Sequence, residues 1–263
     1  MADSIPTPFD VKLMNILATL MFAACGVLLL AAAAWWVLRQ PFFPIAGLKV
    51  DGDVTHNNAI TLRANVAPQL AGNFFTVDLA KARAAFESVP WVRKAVVRRE
   101  FPNKLRATLV EHVPVAHWGT EAESRMVNSY GEVFEANTAE ADDALPRLSG
   151  PDDQAGHVLG MFRELEPVFK GKDLELDELD LSSRGSWQAT LSTGAVIELG
   201  RGSSDEVKAR TERFLRSVRQ VAAQYGRSVE SVESADLRHA DAYALRLRGV
   251  TVAAEGAPTP KKK

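Results

Sequence analysis

The sequence predicts an α+β protein that a single N-terminal transmembrane helix anchors to a membrane and that carries two domains. Three observations support this prediction. Residues 16–38 form an uncharged apolar run near the start of the chain. Residues 45–114 follow helix and strand patterns in the order β-α-α-β-β. Residues 115–250 hold many short β-rich segments and two amphipathic stretches, which is typical of a mixed domain with a largely antiparallel sheet.

The predicted transmembrane helix covers residues 13–38 and follows a short leader, residues 1–12. A helix over the apolar run spans roughly 34 Å, against about 30 Å of bilayer hydrocarbon. A cleaved secretory signal is the alternative, because residues 31–34 offer an A-x-A-like site. The apolar run continues past that site through two tryptophans, and the leader is a poor basic region. We therefore expect a retained anchor.

Basic residues flank the run at both ends, so their distribution does not indicate on which side of the membrane the body lies. The only cysteine, Cys25, lies inside the anchor, so the body has no thiol to oxidise. We expect a cytoplasmic amino terminus and a periplasmic body. Residues 39–44 form a membrane-proximal link. The Lys-rich tail, residues 251–263, is predicted to be disordered.

The composition excludes one class of partner. The formal net charge is −2, whereas nucleic-acid-binding proteins concentrate positive charge to meet phosphates. A basic cluster does occur on one predicted strand, and it is formed by Arg93, Lys94, Arg98 and Arg99. Such a cluster is usually a solvated strand face, although it can also meet an acidic partner.

The first domain, residues 45–114, opens with a strand over 45–52 and continues with two helices. Asn57 or Asn58 is predicted to cap the first helix, which ends near residue 67. Its apolar face is predicted to consist of Ile60, Ala64 and Ala67. Asp78 is predicted to cap the second helix, over 79–88. Its face is predicted to consist of Leu79, Ala82, Arg83 and Phe86.

Two strands complete the first domain. The first covers residues 92–99 and offers Val92, Val96 and Val97 for burial. Residues 101–104 then form a turn. The second strand, over 105–112, alternates apolar and polar residues, as a half-buried strand does.

The second domain, residues 115–250, is predicted to be rich in strands. Its predicted strand segments are 115–118, a hairpin over 125–134, 174–181, 187–192, 195–199, 231–238 and 242–247. Asp152 or Asp153 is predicted to cap a helix that ends near residue 169. Ser203 and Glu206 form a capping box for a second helix. We expect residues 136–144 to form a loop.

No pattern predicts catalysis, a metal or a cofactor. The five histidines, His56, His112, His117, His157 and His239, are scattered rather than converging as ligands must. The body has no cysteine nucleophile and no G-x-S-x-G elbow. The glycines near residue 200 lack the lysine of a phosphate-binding loop, so a strand-to-helix turn explains them.

The order of motifs resembles that of the bacterial FtsQ/DivIB cell-division family. Residues 45–52, 89–105 and 110–118 resemble the POTRA domain of that family, whose β-α-α-β-β order they share. Residues 131–134, 199–202 and 235–239 resemble its second, β domain. With one N-terminal anchor, the resemblance covers nearly the whole chain.

The resemblance implies a bitopic inner-membrane scaffold of the division machinery at the septum, with no catalysis. It implies FtsB and FtsL as partners, together with FtsK, FtsW and FtsI, and a role in controlling septal peptidoglycan synthesis. It places partner binding at the end of the β domain, on Ala235, Asp236, Leu237, Arg238, His239, Tyr243, Leu245 and Leu247. His239 stands where relatives often have Tyr. Recruitment is implied for Val96, Val97, Arg98 and Arg99.

Physical reasoning adds two expectations and leaves alternatives open. A final strand at a sheet edge offers unpaired N–H and C=O groups to a partner strand. The same residues can instead serve only to complete the domain's own sheet. Reversing the charges of Arg98 and Arg99 is expected to leave the fold intact. The alternative functions are a POTRA-type chaperone of envelope protein assembly and an anchored envelope hydrolase.

Overall fold

The computed structural model divides into two compact units, Met1–Glu111 and His112–Lys263. It describes residues 9–40, 42–52, 55–56, 59–70, 72–120, 122–141, 144–239 and 242–250. The predicted caps Asn57 and Asn58, most of the leader and the Lys-rich tail lie outside the described residues.

The first helix, α1, covers Phe9–Arg39 and has no buried residue. Its 31 residues give a length of about 46 Å. It begins inside the predicted leader. Among the described residues it is the one helix long and apolar enough to cross a membrane. At its end the guanidinium carbon of Arg39 lies 3.7 Å from the centre of the Trp35 ring.

The rest of the first unit has the predicted β-α-α-β-β order. Its elements are β1 (Gly47–Gly52), α2 (Ala59–Val66), α3 (Leu79–Glu87), β2 (Val92–Glu100) and β3 (Lys104–Glu111). The strands lie in the order β1-β3-β2, with β1 parallel and β2 antiparallel to β3. The carboxylate of Asp78 accepts from the N–H groups of Ala80 and Lys81, which confirms the predicted cap of α3.

The predicted faces of the two helices in the first unit were wrong in part. Among the described side chains of α2, Leu62 and Val66 are buried, whereas Ala64 and, just after the helix, Ala67 are exposed. The side chain of Ile60 lies outside the described ones. The larger aliphatic side chains exclude more water than alanine, so they determine the rotation of this short helix. In α3, Leu79, Ala82 and Phe86 face the core as predicted, whereas Ala85 replaces Arg83, which is exposed.

A β-bulge corrects the predicted burial on β2. The pairing with β3 shifts between Val92 and Lys94, where one extra residue enters the strand. The shift reverses the alternation of side chains beyond it. Ala95 is therefore buried, and Val96 is 51% exposed instead of facing the core.

The described residues of the second unit form one sheet of nine strands and two α-helices. Its elements are β4 (Pro114–Trp118), β5 (Arg125–Asn128), β6 (Val133–Glu135), β7 (Arg147–Ser149), α4 (Ala155–Lys170), β8 (Leu176–Leu181), β9 (Trp187–Leu191), β10 (Val196–Gly200), α5 (Ser204–Gln224), β11 (Val232–Asp236) and β12 (Ala244–Leu247). The strand order is β12-β11-β10-β9-β8-β7-β4-β5-β6, and most neighbours are antiparallel. The sequence did not predict β7, because three residues are too few for a periodic pattern.

The core of this unit lies between the sheet and its helices. α4 packs on β7 and β8, and α5 packs on β10. The largest buried side chains include Trp118, Met161, Phe169, Trp187 and Phe214. The other face of the sheet carries polar side chains in its C-terminal half, as in the hydrogen bond between Gln188 and Glu198. Helices that cover one face of a sheet do not pair with the backbone groups of its edge strands.

The starts of the two helices differ in how well the sequence predicted them. The capping box of Ser203 and Glu206 is present in full at α5. The prediction for α4 was wrong, because the Asp152 carboxylate accepts from the Trp118 indole N–H at 2.8 Å and from Arg125 at 2.9 Å. Hydrogen bonding from Trp118 lowers the pKa of Asp152. A short 3₁₀ turn, Asp152–Gln154, precedes α4 instead.

Candidate functional site

The C-terminal edge of the nine-stranded sheet is formed by β12. This strand pairs with β11, and among the described residues no strand pairs with its outer side. The N–H of Arg248 donates to the carbonyl of Ser231, on the β11 side, at 2.8 Å. Because successive residues of a strand direct their backbone groups to opposite sides, the backbone groups of Leu245 and Leu247 point outward. The carbonyl of Leu247 already accepts from the N–H of Val250 at 3.2 Å. The edge therefore presents a row of backbone donors and acceptors.

Three of the predicted partner-binding residues belong to the core of the unit. Ala235, Leu237 and Leu247 are almost completely buried. Their side chains complete the packing of the domain's own sheet. Of the three, only Leu247 lies on β12, so a partner strand at this edge can meet the backbone of Leu247 but not the side chains of these residues.

Arg238 already has a carboxylate partner within its own chain. Its Nε and Nη2 atoms donate to the two oxygens of Asp236 at 2.9 and 2.5 Å. The side-chain hydrogen bond from Arg238 lowers the pKa of Asp236 to about 2. Arg238 and His239 are exposed. An incoming acidic group therefore has to share Arg238 with Asp236.

This pair leads to a pH prediction. In the unfolded chain the carboxyl of Asp236 has the ordinary pKa of ~3.9, so it takes up a proton at higher pH than in the folded protein. The contribution of the Asp236–Arg238 pair to the free energy of unfolding is therefore complete above about pH 4 and is lost as the pH falls towards about 2. We expect Arg238→Gln to raise the NMR titration midpoint of Asp236 towards its ordinary value. Arg246→Gln is the control, since Arg246 pairs with Glu233. An unchanged Asp236 midpoint in Arg238→Gln would contradict the prediction.

Tyr243 and Leu245 are half-buried and pack against the core of the unit. The Tyr243 hydroxyl lies 2.8 Å from Ser217 Oγ on α5, and its ring meets Phe214 edge to face with centroids 5.1 Å apart. These contacts hold Tyr243, just before β12, against α5. Removing the whole Tyr243 side chain would therefore disturb the fold as well as any interface.

A groove that the sequence did not reveal lies between β12 and the end of α5. Its volume is about 540 Å³, and its lining includes Val221, Tyr225, Leu245 and Leu247. Further along α5 a second groove includes Arg210, Arg213 and His239 in its lining. The spacing of arginines on the polar face of α5 was the available signal, but only the packing of α5 beside β12 brings them to this edge.

The basic strand of the first unit divides into two kinds of residue. Val96 and Arg98 are exposed, and Val97 is half-buried. The guanidinium of Arg99 instead donates to three backbone carbonyls, those of Phe74, Phe75 and Val77. These bonds contradict the expectation that both arginines are dispensable to the fold, because Arg99 holds the turn before α3 together.

The described histidines do not come together. His56 stacks on Trp91 and lies 3.2 Å from the Glu111 carboxylate, whereas His112 stacks on Phe134. No group of three metal-ligating side chains occurs in the part of the chain that the structure describes. Among the described residues, the open edge of β12 is therefore the candidate site for a binding partner.

Comparison with known proteins matches both units. The FtsQ-type POTRA domain matches residues 43–112, and the C-terminal domain of cell division protein FtsQ/DivIB matches residues 116–238. The chain belongs to the FtsQ/DivIB family. A cell division protein FtsQ from Burkholderia pseudomallei is 38% identical, with 92% of this chain and 94% of the relative covered. One from Bordetella pertussis is also 38% identical, with 90% and 92% covered.

Membership in the FtsQ/DivIB family gives the chain a role in cell division. A third relative, from Thiomonas arsenitoxydans, is 35% identical over 92% of this chain and 89% of its own length. Together with α1, the family indicates a single-pass inner-membrane protein. The resemblance drawn from the sequence motifs is thereby confirmed at the level of the family and its two domains.

Proposed function

We propose that this protein is a bitopic scaffold of the divisome that links early and late division proteins. It binds FtsB and FtsL through its periplasmic body, contacts FtsK, FtsW and FtsI, and thereby controls septal peptidoglycan synthesis without catalysing a reaction. Nucleic acids and small-molecule substrates are not among its ligands. Family membership supports the role in division, and the open edge of β12 supports the mode of binding.

The open edge of β12 is the observation that carries the partner site. A strand from FtsB or FtsL that pairs with β12 gains hydrogen bonds to the outward N–H and C=O groups of Leu245 and to the N–H of Leu247. The apolar groove beside α5 receives side chains from one face of such a strand. Exposed Arg238 and the arginines of α5 favour an acidic partner segment, since complementary charge gives specificity and faster association.

The exposed part of β2 is proposed as a recruitment surface. Val96 and Arg98 offer an apolar and a basic contact on the same unit, and Val97 contributes only at its exposed side. Arg99 supports this surface through the turn that it holds rather than by meeting a partner.

The proposed topology places the amino terminus in the cytoplasm and residue 39 onward in the periplasm, with α1 retained. The length of the apolar run and the cysteine-free body support this arrangement. We expect alkaline phosphatase fused to the C-terminus to be active in cells. An inactive fusion, or a mature form that starts near residue 34, would contradict the topology.

Depletion of the protein in its host tests the division role against the alternatives. We expect long filaments without septa, and rescue by the full-length chain. Loss of outer-membrane proteins without filamentation would support the POTRA-type chaperone instead. Altered wall-cleavage products without filamentation would support the envelope hydrolase.

A further inference from the structure

The first unit holds the end of the transmembrane helix through one buried side chain. Asn73 Nδ2 donates to the carbonyl of Leu38 at 2.7 Å and to that of Gln40 at 2.8 Å. Its Oδ1 accepts from the N–H groups of Phe75 and Thr76, both at 2.9 Å. One side chain thus joins the turn before α3 to the last residues of the membrane span.

A second connection lies beside the first. The N–H of Phe74 donates to the carbonyl of Phe43 at 2.9 Å. The rings of Phe43 and Phe75 meet edge to face with centroids 5.0 Å apart. Together with Asn73, these contacts keep the turn within one side-chain length of the point where α1 ends.

Exposed phenylalanines surround this connection. Phe42 is 78% exposed, Phe101 is 76% exposed and Phe75 is 38% exposed. Phe74 is fully buried, and its ring contacts those of Phe75 and Phe101, each at 5.2 Å. Large aromatic side chains rarely stay in water together, so a group of three beside a membrane span calls for an apolar surrounding.

The end of α1 identifies that surrounding. Trp35 and Trp36 close the apolar run, and Arg39 lies over the Trp35 ring. Tryptophan and arginine are typical of the layer between hydrocarbon and water, where an aromatic body and a polar tip are both satisfied. Contacts within hydrogen-bond distance of Leu38 and Gln40 therefore place the turn, and its phenylalanines, at the same layer.

We propose that Phe42, Phe75 and Phe101, here called the aromatic rim, insert into the interfacial layer of the leaflet from which α1 emerges. Asn73 is the positioning residue, because it joins the rim to the span. The rim makes the first unit a second point of attachment to the bilayer. Its consequence is a restricted orientation of this unit relative to the membrane, which goes beyond the divisome partners proposed above.

A fluorescent probe at residue 101 tests the proposal. The full-length chain with Cys25→Ser and Phe101→Cys is labelled with an environment-sensitive dye. It is then placed, one copy per disc, in nanodiscs of phosphatidylethanolamine and phosphatidylglycerol. The matched control carries the dye at Lys94→Cys. Lys94 is exposed near the start of β2, roughly 17 Å along the strand from Arg99 and away from the turn. No division partner is present in this assay.

We expect the dye at residue 101, but not at residue 94, to show blue-shifted emission and quenching by lipids that carry a spin label near the headgroup. Solvent-like emission at both positions would overturn the proposal. Blue-shifted emission without quenching by the lipid label would also overturn it, because protein rather than lipid would then cover the rim.

Asn73→Asp separates positioning from folding. The carboxylate keeps the acceptor for Phe75 and Thr76 but removes both donations to the end of α1 and sets oxygen against oxygen. We expect weaker lipid quenching of the residue-101 dye, with the hydrogen-exchange protection of β2 and β3 unchanged. Unchanged quenching would show that Asn73 does not position the rim, and lost protection of these strands would assign Asn73 to folding alone.

Discussion

Leu245→Pro is expected to weaken capture of FtsB and FtsL by at least about tenfold, because it removes one outward backbone donor and sets a ring against the incoming strand. The N–H of Leu245 points away from β11, so the domain's own sheet does not use it. Proline is tolerated on edge strands at such positions, and it favours an extended conformation in the residue before it, here Ala244.

Leu245→Ala is the matched control for this prediction. It removes the half-buried side chain, as the proline variant largely does, but it keeps the backbone N–H. Both variants should unfold at a similarly lowered temperature, and only the proline variant should lose capture in co-purification. If both variants capture FtsB and FtsL as well as the unchanged protein does, pairing at the β12 edge is ruled out. If both lose capture, the effect is assigned to side-chain packing.

Arg99→Glu is expected to destabilise the first unit by about 1–3 kcal/mol, since it removes a charged donor from three carbonyls. For a domain of this size the unfolding temperature falls by about 4–8 °C per kcal/mol. The loss should be centred on the turn that Arg99 holds, residues 74–77. Hydrogen exchange measured along the full-length chain locates the effect.

Arg98→Glu carries the same change of charge one residue earlier and provides the comparison. Arg98 is exposed, so we expect unchanged exchange throughout the first unit and weaker recruitment of the protein to the septum. Normal septal recruitment of Arg98→Glu would remove this residue from the proposed surface. Equal stability of the two variants would show that the Arg99 bonds do not hold the turn.

Local signals predicted the elements of the chain well, because each signal depends on neighbours in sequence. The cap at Asp78, the capping box of Ser203 and Glu206, and the alternating pattern of β3 all describe groups that satisfy one another within a few residues. The order of elements in the first unit followed directly from such signals.

The errors at Val96 and Asp152 arose where a residue distant in sequence determines the burial or the hydrogen bonds of a side chain. Val96 is exposed because a bulge in the pairing with β3 reverses the alternation on β2. Asp152 does not cap α4 because Trp118 and Arg125 take its carboxylate, and both are far away in sequence. No pattern within a short window contains either partner.

The membrane span, the element order of the first unit and the family could be predicted from the sequence, since apolar runs, periodicity and motif order lie along the chain. Which strand ends the sheet of the second unit, and which of its residues are available, depends on how the segments pack. The tertiary structure placed β12 at the edge and buried Ala235, Leu237 and Leu247. The physical reason is that an edge and a buried face are relations between segments, and the free energy that selects them exists only once those segments have packed together.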